Sequence, residues 1–464
     1  MDTKQLSVSE KSTDLDSVSI ILTACIVSLL LTYMVYTRDL VLGSTAGNWV
    51  YPYLEKVQPI PLWIPAAALL FLGLTVFLGS KWIQVHEKLT LAVSFLSLLF
   101  VQVLLHRVYA IPLGTIVQSN VANGFYTPAR RFSALEILTK FNELLPQLQS
   151  HAKSNMPGKI LLFEFFTLFT SSPRIAGYMV VAFSALGALL LYGICKRLFF
   201  DQRAAYFAFI LYALIPGRLF FLPILNTVTP VFILLCLYLF LLYVEKKHWL
   251  FAGLLGIALY FLILFEASPL TTGIIFVGIL IYEVREKRLD ARDVLSLCSS
   301  LFLAFVGIYL VFSLIFNFNL FPTFLYMLKD AMQFNSRADR GYFIWLGENI
   351  KDFFFSVGLP VMIIYIYLAA RLFSDWLMLK DIRHWSMENI YIATLLMTLL
   401  VVDLLGINRG EVMRLWIYLT VFFQVPAALF IAKIRKGEIM LFLVSGILVV
   451  QTVIMLQQIG FVLP

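Results

Sequence analysis

The chain has 464 residues, of which 61% are hydrophobic, 15% aromatic and only 13% charged. A soluble protein carries about 25% charged residues, so composition excludes an ordinary soluble enzyme and indicates an integral membrane protein. The formal net charge of +8 does not mark a nucleic-acid partner, because the basic residues sit in short segments between apolar runs, where they act as topology signals.

Residues 1–17 are polar, contain acids and lack a basic segment leading into a cleavage site, so they are expected to form a short disordered cytoplasmic tail. Apolar runs then predict about thirteen spans, near 18–36, 62–80, 89–108, 174–195, 203–217, 228–244, 249–266, 269–284, 294–316, 353–373, 387–405, 413–432 and 439–460. The runs are continuous rather than alternating, which predicts helices and not barrel strands. The expected fold is an all-α polytopic membrane protein, one multi-span domain over residues 18–460. Cys25, Cys195, Cys236 and Cys298 lie in or beside apolar runs and imply no disulfide framework. No repeat of fixed period is present.

With the N-terminus inside, Lys81, Lys88, Lys196, Arg197, Arg203, Lys246, Lys247, the run EVREKRLDARD, Arg371, Lys380, Arg383 and KIRKGE all fall on the cytoplasmic side. The other face has few basic residues in its short loops, as the positive-inside tendency requires. A plasma (inner) membrane location follows as the expectation. Two long polar segments, 109–158 and 317–352, then lie outside, and loops of that length concentrate function. The polar phrase HAKSNMPGKI, residues 151–160, leads into LLFEFFTLFT, which is too short to cross and is expected to lie at the outer interface.

From residue 90 to 230 the order of pieces resembles the C superfamily of membrane glycosyltransferases, which includes lipid-phosphate-sugar-dependent mannosyltransferases and aminoarabinose transferases. Tyr126-Thr-Pro-Ala129-Arg130 is similar to that family's Tyr-x-x-Ala-Arg element, and Asn155-Met156-Pro157-Gly158 stands where it has a His-Pro-Pro phrase. Lys196-Arg197-Leu198-Phe199 and Pro216 are similar to its basic turn and following proline, and NRGEVMRLWIYL, residues 408–419, resembles an Arg-Gly-Glu-x-x-Arg-x-Trp signature of the same broad type. The resemblance implies a polyprenyl-phosphate-linked sugar as donor and a glycan, lipid or protein as acceptor, with membrane lipids around both. The chain departs from the pattern where the family has an acidic pair, here Ala122 and Asn123, where it has the phrase's histidine, here Asn155, and at Asn226, where an acid is expected.

Such a transfer needs fixed cations at interface depth for an anionic phosphate, and arginine suits this because its planar fork stays charged. Arg130, Arg131, Arg218, Arg409 and Arg414 are the outer-face candidates, with Asn123, Tyr126 and Asn155 as further substrate contacts implied by the resemblance. Snorkelling to lipid headgroups is the alternative for each arginine. Glu411, Glu266 and His151 are the candidates for activating an acceptor hydroxyl. Glu411 can equally form an ion pair with Arg414 three residues on, Glu266 can simply reach water, and His151 can be an exposed loop residue. Glu136 and Glu143 read as the solvated face of a loop helix, while Trp49, Tyr51 and Tyr53 offer rings for stacking on a sugar.

No metal-ligand spacing links the five histidines, and no cofactor motif appears; Asp39, Asp330, Asp339, Glu348 and Asp352 remain possible oxygen ligands for a divalent cation. The leading expectation is a membrane glycosyltransferase acting on the outer face. The alternatives are a non-enzymatic relative, a flippase for a lipid-linked substrate, or a protein like the O-antigen ligases and polymerases.

Overall fold

The computed structural model describes residues 3–55, 59–109, 111–379 and 384–460. Among the described residues eleven helices are long and apolar enough to cross a membrane: Leu15–Thr37, Trp63–Trp82, Glu87–His106, Pro173–Phe199, Gln202–Phe220, Leu225–Lys246, Ser268–Arg285, Ala291–Phe316, Leu359–Met378, Met387–Leu404 and Gly437–Gln458. The protein is therefore an all-α polytopic membrane protein. Trp249–Phe265 and Ile417–Ala432 are apolar but shorter. At 1.5 Å per residue each reaches only about 25 Å, less than the ~30 Å hydrocarbon core.

Local signals move several expected boundaries. The stretch expected to be a disordered tail is helical from Thr3, as part of one helix, Thr3–Thr37, with neither Pro nor Gly to break it. The expected span 353–373 begins instead at Leu359, because Gly358 has φ +106 and ends the preceding helix Tyr342–Val357. A Cβ at Gly358 would collide with the Leu448 side chain, so glycine is required there. The long polar segment 317–352 thus extends to Gly358 and folds as two helices, Leu320–Arg337 and Tyr342–Val357. Pro216 divides the span near 203–217: Ile215 is forced out of helical geometry, and a short helix Pro216–Phe220 follows.

Two helices run through the middle of the bundle. Every residue of Ile417–Ala432 is buried, as is every residue from Ala204 to Ala213. A helix apolar on all sides belongs in such a position. Close approach is secured by small residues opposite tyrosines: Gly187 and Gly79 leave space that Tyr212 and Tyr206 fill with their phenols. The buried hydroxyls then find partners, Tyr212 on the Ser184 carbonyl at 2.8 Å and Tyr206 on the Thr75 carbonyl at 2.8 Å.

The polar connections segregate into two layers. At one end Lys196 pairs with Glu87 at 2.7 Å, Arg203 with Glu438 at 2.9 Å, Lys247 with Asp293 at 2.7 Å and Lys433 with Glu388 at 2.6 Å. Lys380 and Arg383, two of the residues expected on that face, lie outside the described residues. At the other end the long segments interlock. A two-stranded hairpin, Gly43–Ser44 with Trp49–Val50, is held to the helix Tyr342–Val357 by Asp352, whose carboxylate accepts the Gly43 N–H at 3.0 Å. That helix in turn meets residues 405–416, through Asn349 to the Asn408 carbonyl at 3.0 Å.

Candidate functional site

The strip Gly406 to Trp416 is built around backbone that most side chains disfavour. Gly406, Gly410 and Glu411 all have positive φ, at +56, +79 and +58. A left-handed non-glycine residue costs about 1–2 kcal/mol, so its persistence at Glu411 means the surroundings fix it. Asn408 accepts the Trp416 indole N–H at 3.2 Å, and Asn349 accepts the Gly410 N–H at 3.1 Å. Arg409 is a strap, donating to the Gly406 carbonyl at 3.1 Å and the Arg340 carbonyl at 2.8 Å.

These constraints turn Glu411 and Arg414 into a cleft of about 210 Å³, whose wall also includes Trp49, Tyr51, Ala122, His151, Phe220 and Phe221. Glu411 is held from two sides, by Arg414 at 2.6 Å and by Arg340 at 3.3 Å. Burial pushes the Glu411 carboxyl up, but Arg414 and Arg340 outweigh it and leave the group below the ordinary carboxylate range. Arg340 is itself buried, its guanidinium lying over the Trp49 ring at 5.3 Å and donating to the Arg409 carbonyl at 2.6 Å. His151 brings Nε2 to 3.4 Å from Arg414 Nη1. Burial and then the Arg414 charge push its imidazole down to about 4, so it is neutral at pH 7.

The phrase 151–160 links this cleft to a second buried cluster. The Asn155 amide donates to the His151 carbonyl at 2.9 Å and accepts from Lys159 Nζ at 3.0 Å. Lys159, only 1% exposed, pairs with Glu266 at 2.9 Å. Glu266 also accepts from Thr229 at 2.6 Å, Ser268 at 2.9 Å and Asn226 at 3.2 Å. The asparagine at 226 is thereby explained: an aspartate there would set a second carboxylate against Glu266. A polar phrase precedes an apolar helix, Gly158–Thr167, because it carries the ligands that pin that helix to the bundle.

Of the residues singled out from sequence, His151, Glu411 and Arg414 come together. Glu266 lies behind Lys159 and does not line the cleft. Ala122 does line it, so one position of the missing acidic pair faces the site with a methyl group. Asn123 turns away, donating to the Val117 carbonyl at 3.0 Å, and the Tyr126 hydroxyl donates to the Ser171 carbonyl at 3.0 Å. Arg130 and Arg131 are exposed, the latter reaching Gln147 at 3.4 Å. Arg218 is fully buried; it donates to Ser184 Oγ at 2.6 Å and to the Ala213 carbonyl at 3.0 Å, where it caps the carboxyl end of Gln202–Ala213. Its guanidinium is enclosed by these partners and does not line the cleft. Glu136 sits in a capping box with Ser133.

Three contributors carry no signal in the sequence. Arg340 lies in the loop between the helices Leu320–Arg337 and Tyr342–Val357, with no motif around it, and Phe220 and Phe221 look like ordinary span residues. Among the described residues no three His, Cys, Asp or Glu side chains gather as a metal ion requires. The carboxylate that lines the cleft is already taken by two guanidiniums, so a divalent cation does not fit there. Compared with protein-family models and with curated proteins, the chain matches none.

Proposed function

We propose that the protein is a polytopic transferase that moves a sugar from a polyprenyl-phosphate carrier to an acceptor on the outer face of the membrane. One observation carries the reading: residues far apart in sequence, at 49–52, 121–122, 151 and 411–414, with Arg340 paired to Glu411, meet around a cleft with aromatic walls and a guanidinium inside. An anionic phosphate would lie against Arg414, reinforced by Arg340, and the rings of Trp49 and Tyr51 would flank the sugar. Preorganised cations that face developing charge on a leaving phosphate lower the barrier without moving. Glu411, relieved of Arg414 by the phosphate, would orient the acceptor hydroxyl.

The same reading sets the topology. The cytoplasmic N-terminus and the basic layer define the inner face, and alternation of the two polar layers then requires thirteen crossings, with Trp249–Phe265 and Ile417–Ala432 included despite their length. The short outer helices would rest at the interface, where Gly158–Thr167 ends among exposed Phe165, Leu168 and Phe169. In reconstituted proteoliposomes carrying radiolabelled polyprenyl-phosphate sugar, Arg414→Gln should abolish transfer at normal abundance, while Arg130→Gln should leave it intact. Transfer by the Arg414 variant at the native rate would refute the assignment. The absent acid at Ala122 favours the second reading, a non-enzymatic relative that binds the lipid-linked sugar; it predicts donor binding without transfer in the same vesicles.

A further inference from the structure

The cleft's charges can be counted from contacts. Arg340 and Arg414 share one carboxylate, Glu411, while the neighbouring Lys159 is matched by Glu266. One positive charge is left over, and the imidazole of His151 stands beside it. An arginine nitrogen can only donate, so Nε2 of His151 accepts from Arg414, and the ring's second contact is to the Val121 backbone. An anion that draws Arg414 toward itself leaves that Nε2 bare and removes the charge which, after burial, most depresses the ring. Resting on the anion-site reading above, we propose that His151 sets the charge of the anion the cleft accepts: neutral, it admits a singly charged tetrahedral oxyanion such as a phosphodiester, and a doubly charged one enters together with a proton taken from solvent onto Nε2.

The groups facing this histidine are Arg414, Glu411 and Lys159, with Arg340 on the far side of Glu411. Behind Tyr51 lies Asp352, buried against the Gly43 N–H and next to Lys351 and Glu348. Burial raises Asp352 to about 7, inside the pH range of the assay, so its titration must be separated experimentally from proton uptake by His151.

Inorganic sulfate and methyl sulfate serve as probes, since neither titrates in the range used. Calorimetric titration of the full-length protein between pH 5.5 and 7.5 should show sulfate affinity falling about tenfold per pH unit, because a proton enters with the ion, while methyl sulfate affinity stays flat. His151→Gln should remove the sulfate slope and keep methyl sulfate binding, which shows that the variant is folded; Asp352→Asn should keep the slope. A flat sulfate profile in the native protein, a slope that survives in His151→Gln, or one that vanishes in Asp352→Asn overturns the proposal. Failure of both ions to bind overturns the anion-site reading beneath it.

Discussion

Replacing Lys159 by methionine tests the junction on which the cleft rests. The ammonium is 1% exposed and sits 2.9 Å from a Glu266 carboxylate whose other partners, Thr229, Ser268 and Asn226, are neutral. Removing one member of a buried pair strands the other charge and costs about 3–5 kcal/mol. Unfolding entropy near 2.1 cal/mol/K per residue over 464 residues is about 1 kcal/mol per degree, so Lys159→Met should lower the Tm of the purified protein by about 3–5 °C. The double variant Lys159→Met/Glu266→Gln removes the stranded charge and should recover most of that loss, because replacing a whole buried pair is close to neutral. Thermal unfolding followed by tryptophan fluorescence in detergent measures both. If the double variant is as unstable as the single one, or the single one is unaffected, the pair is not what pins the helix Gly158–Thr167.

Other expectations follow from particular contacts. Gly410→Ala should destabilise by at least about 1 kcal/mol and reduce transfer, since φ is +79 and the added carbon would come within 2.9 Å of the Trp345 ring; equal Tm and activity would refute it. Arg218→Met removes the cap on the carboxyl end of Gln202–Ala213, and a loss of about 1–2 kcal/mol with the Kd for donor unchanged is expected; a weakened donor Kd would restore it as a clamp. Asp352 has its folded pKa raised above the unfolded value, so its contribution to stability is full below about pH 4 and lost as pH rises through about 7. Asp352→Asn should therefore flatten the fall in Tm between pH 5 and 8, and an unchanged pH profile would contradict the assignment.

The sequence displays the membrane character openly, because spanning a bilayer demands long apolar runs that nothing else explains. It also places the two polar layers, through the positions of its lysines and arginines. Boundaries shift where one residue's backbone decides, as at Gly358 and Pro216, and hydropathy averages over such residues. The site is half legible. Glu411 and Arg414 stand in a compact phrase whose spacing brings them to one face, and His151 sits in a polar phrase out of place among apolar neighbours. Arg340 is hidden because its role depends on a contact 71 residues away in sequence, to Glu411. Arg218 and Arg409 show a related limit: an arginine near a helix end reads as a ligand for phosphate, while here each donates to backbone carbonyls, a pairing that depends on the fold. Glu266 is paired with Lys159, 107 positions earlier, which no local pattern in the sequence displays.

The most direct measurement is photolabelling with a polyprenyl phosphate carrying a photoreactive group beside the phosphate, followed by peptide mapping of the full-length protein. Label on Trp49 to Pro52, Val121 to Ala122, Phe220 to Ile224 and Glu411 to Arg414, suppressed by Arg414→Gln, is the expected result. Label spread along lipid-facing helices such as Ala291–Phe316, unchanged in the variant, would contradict it.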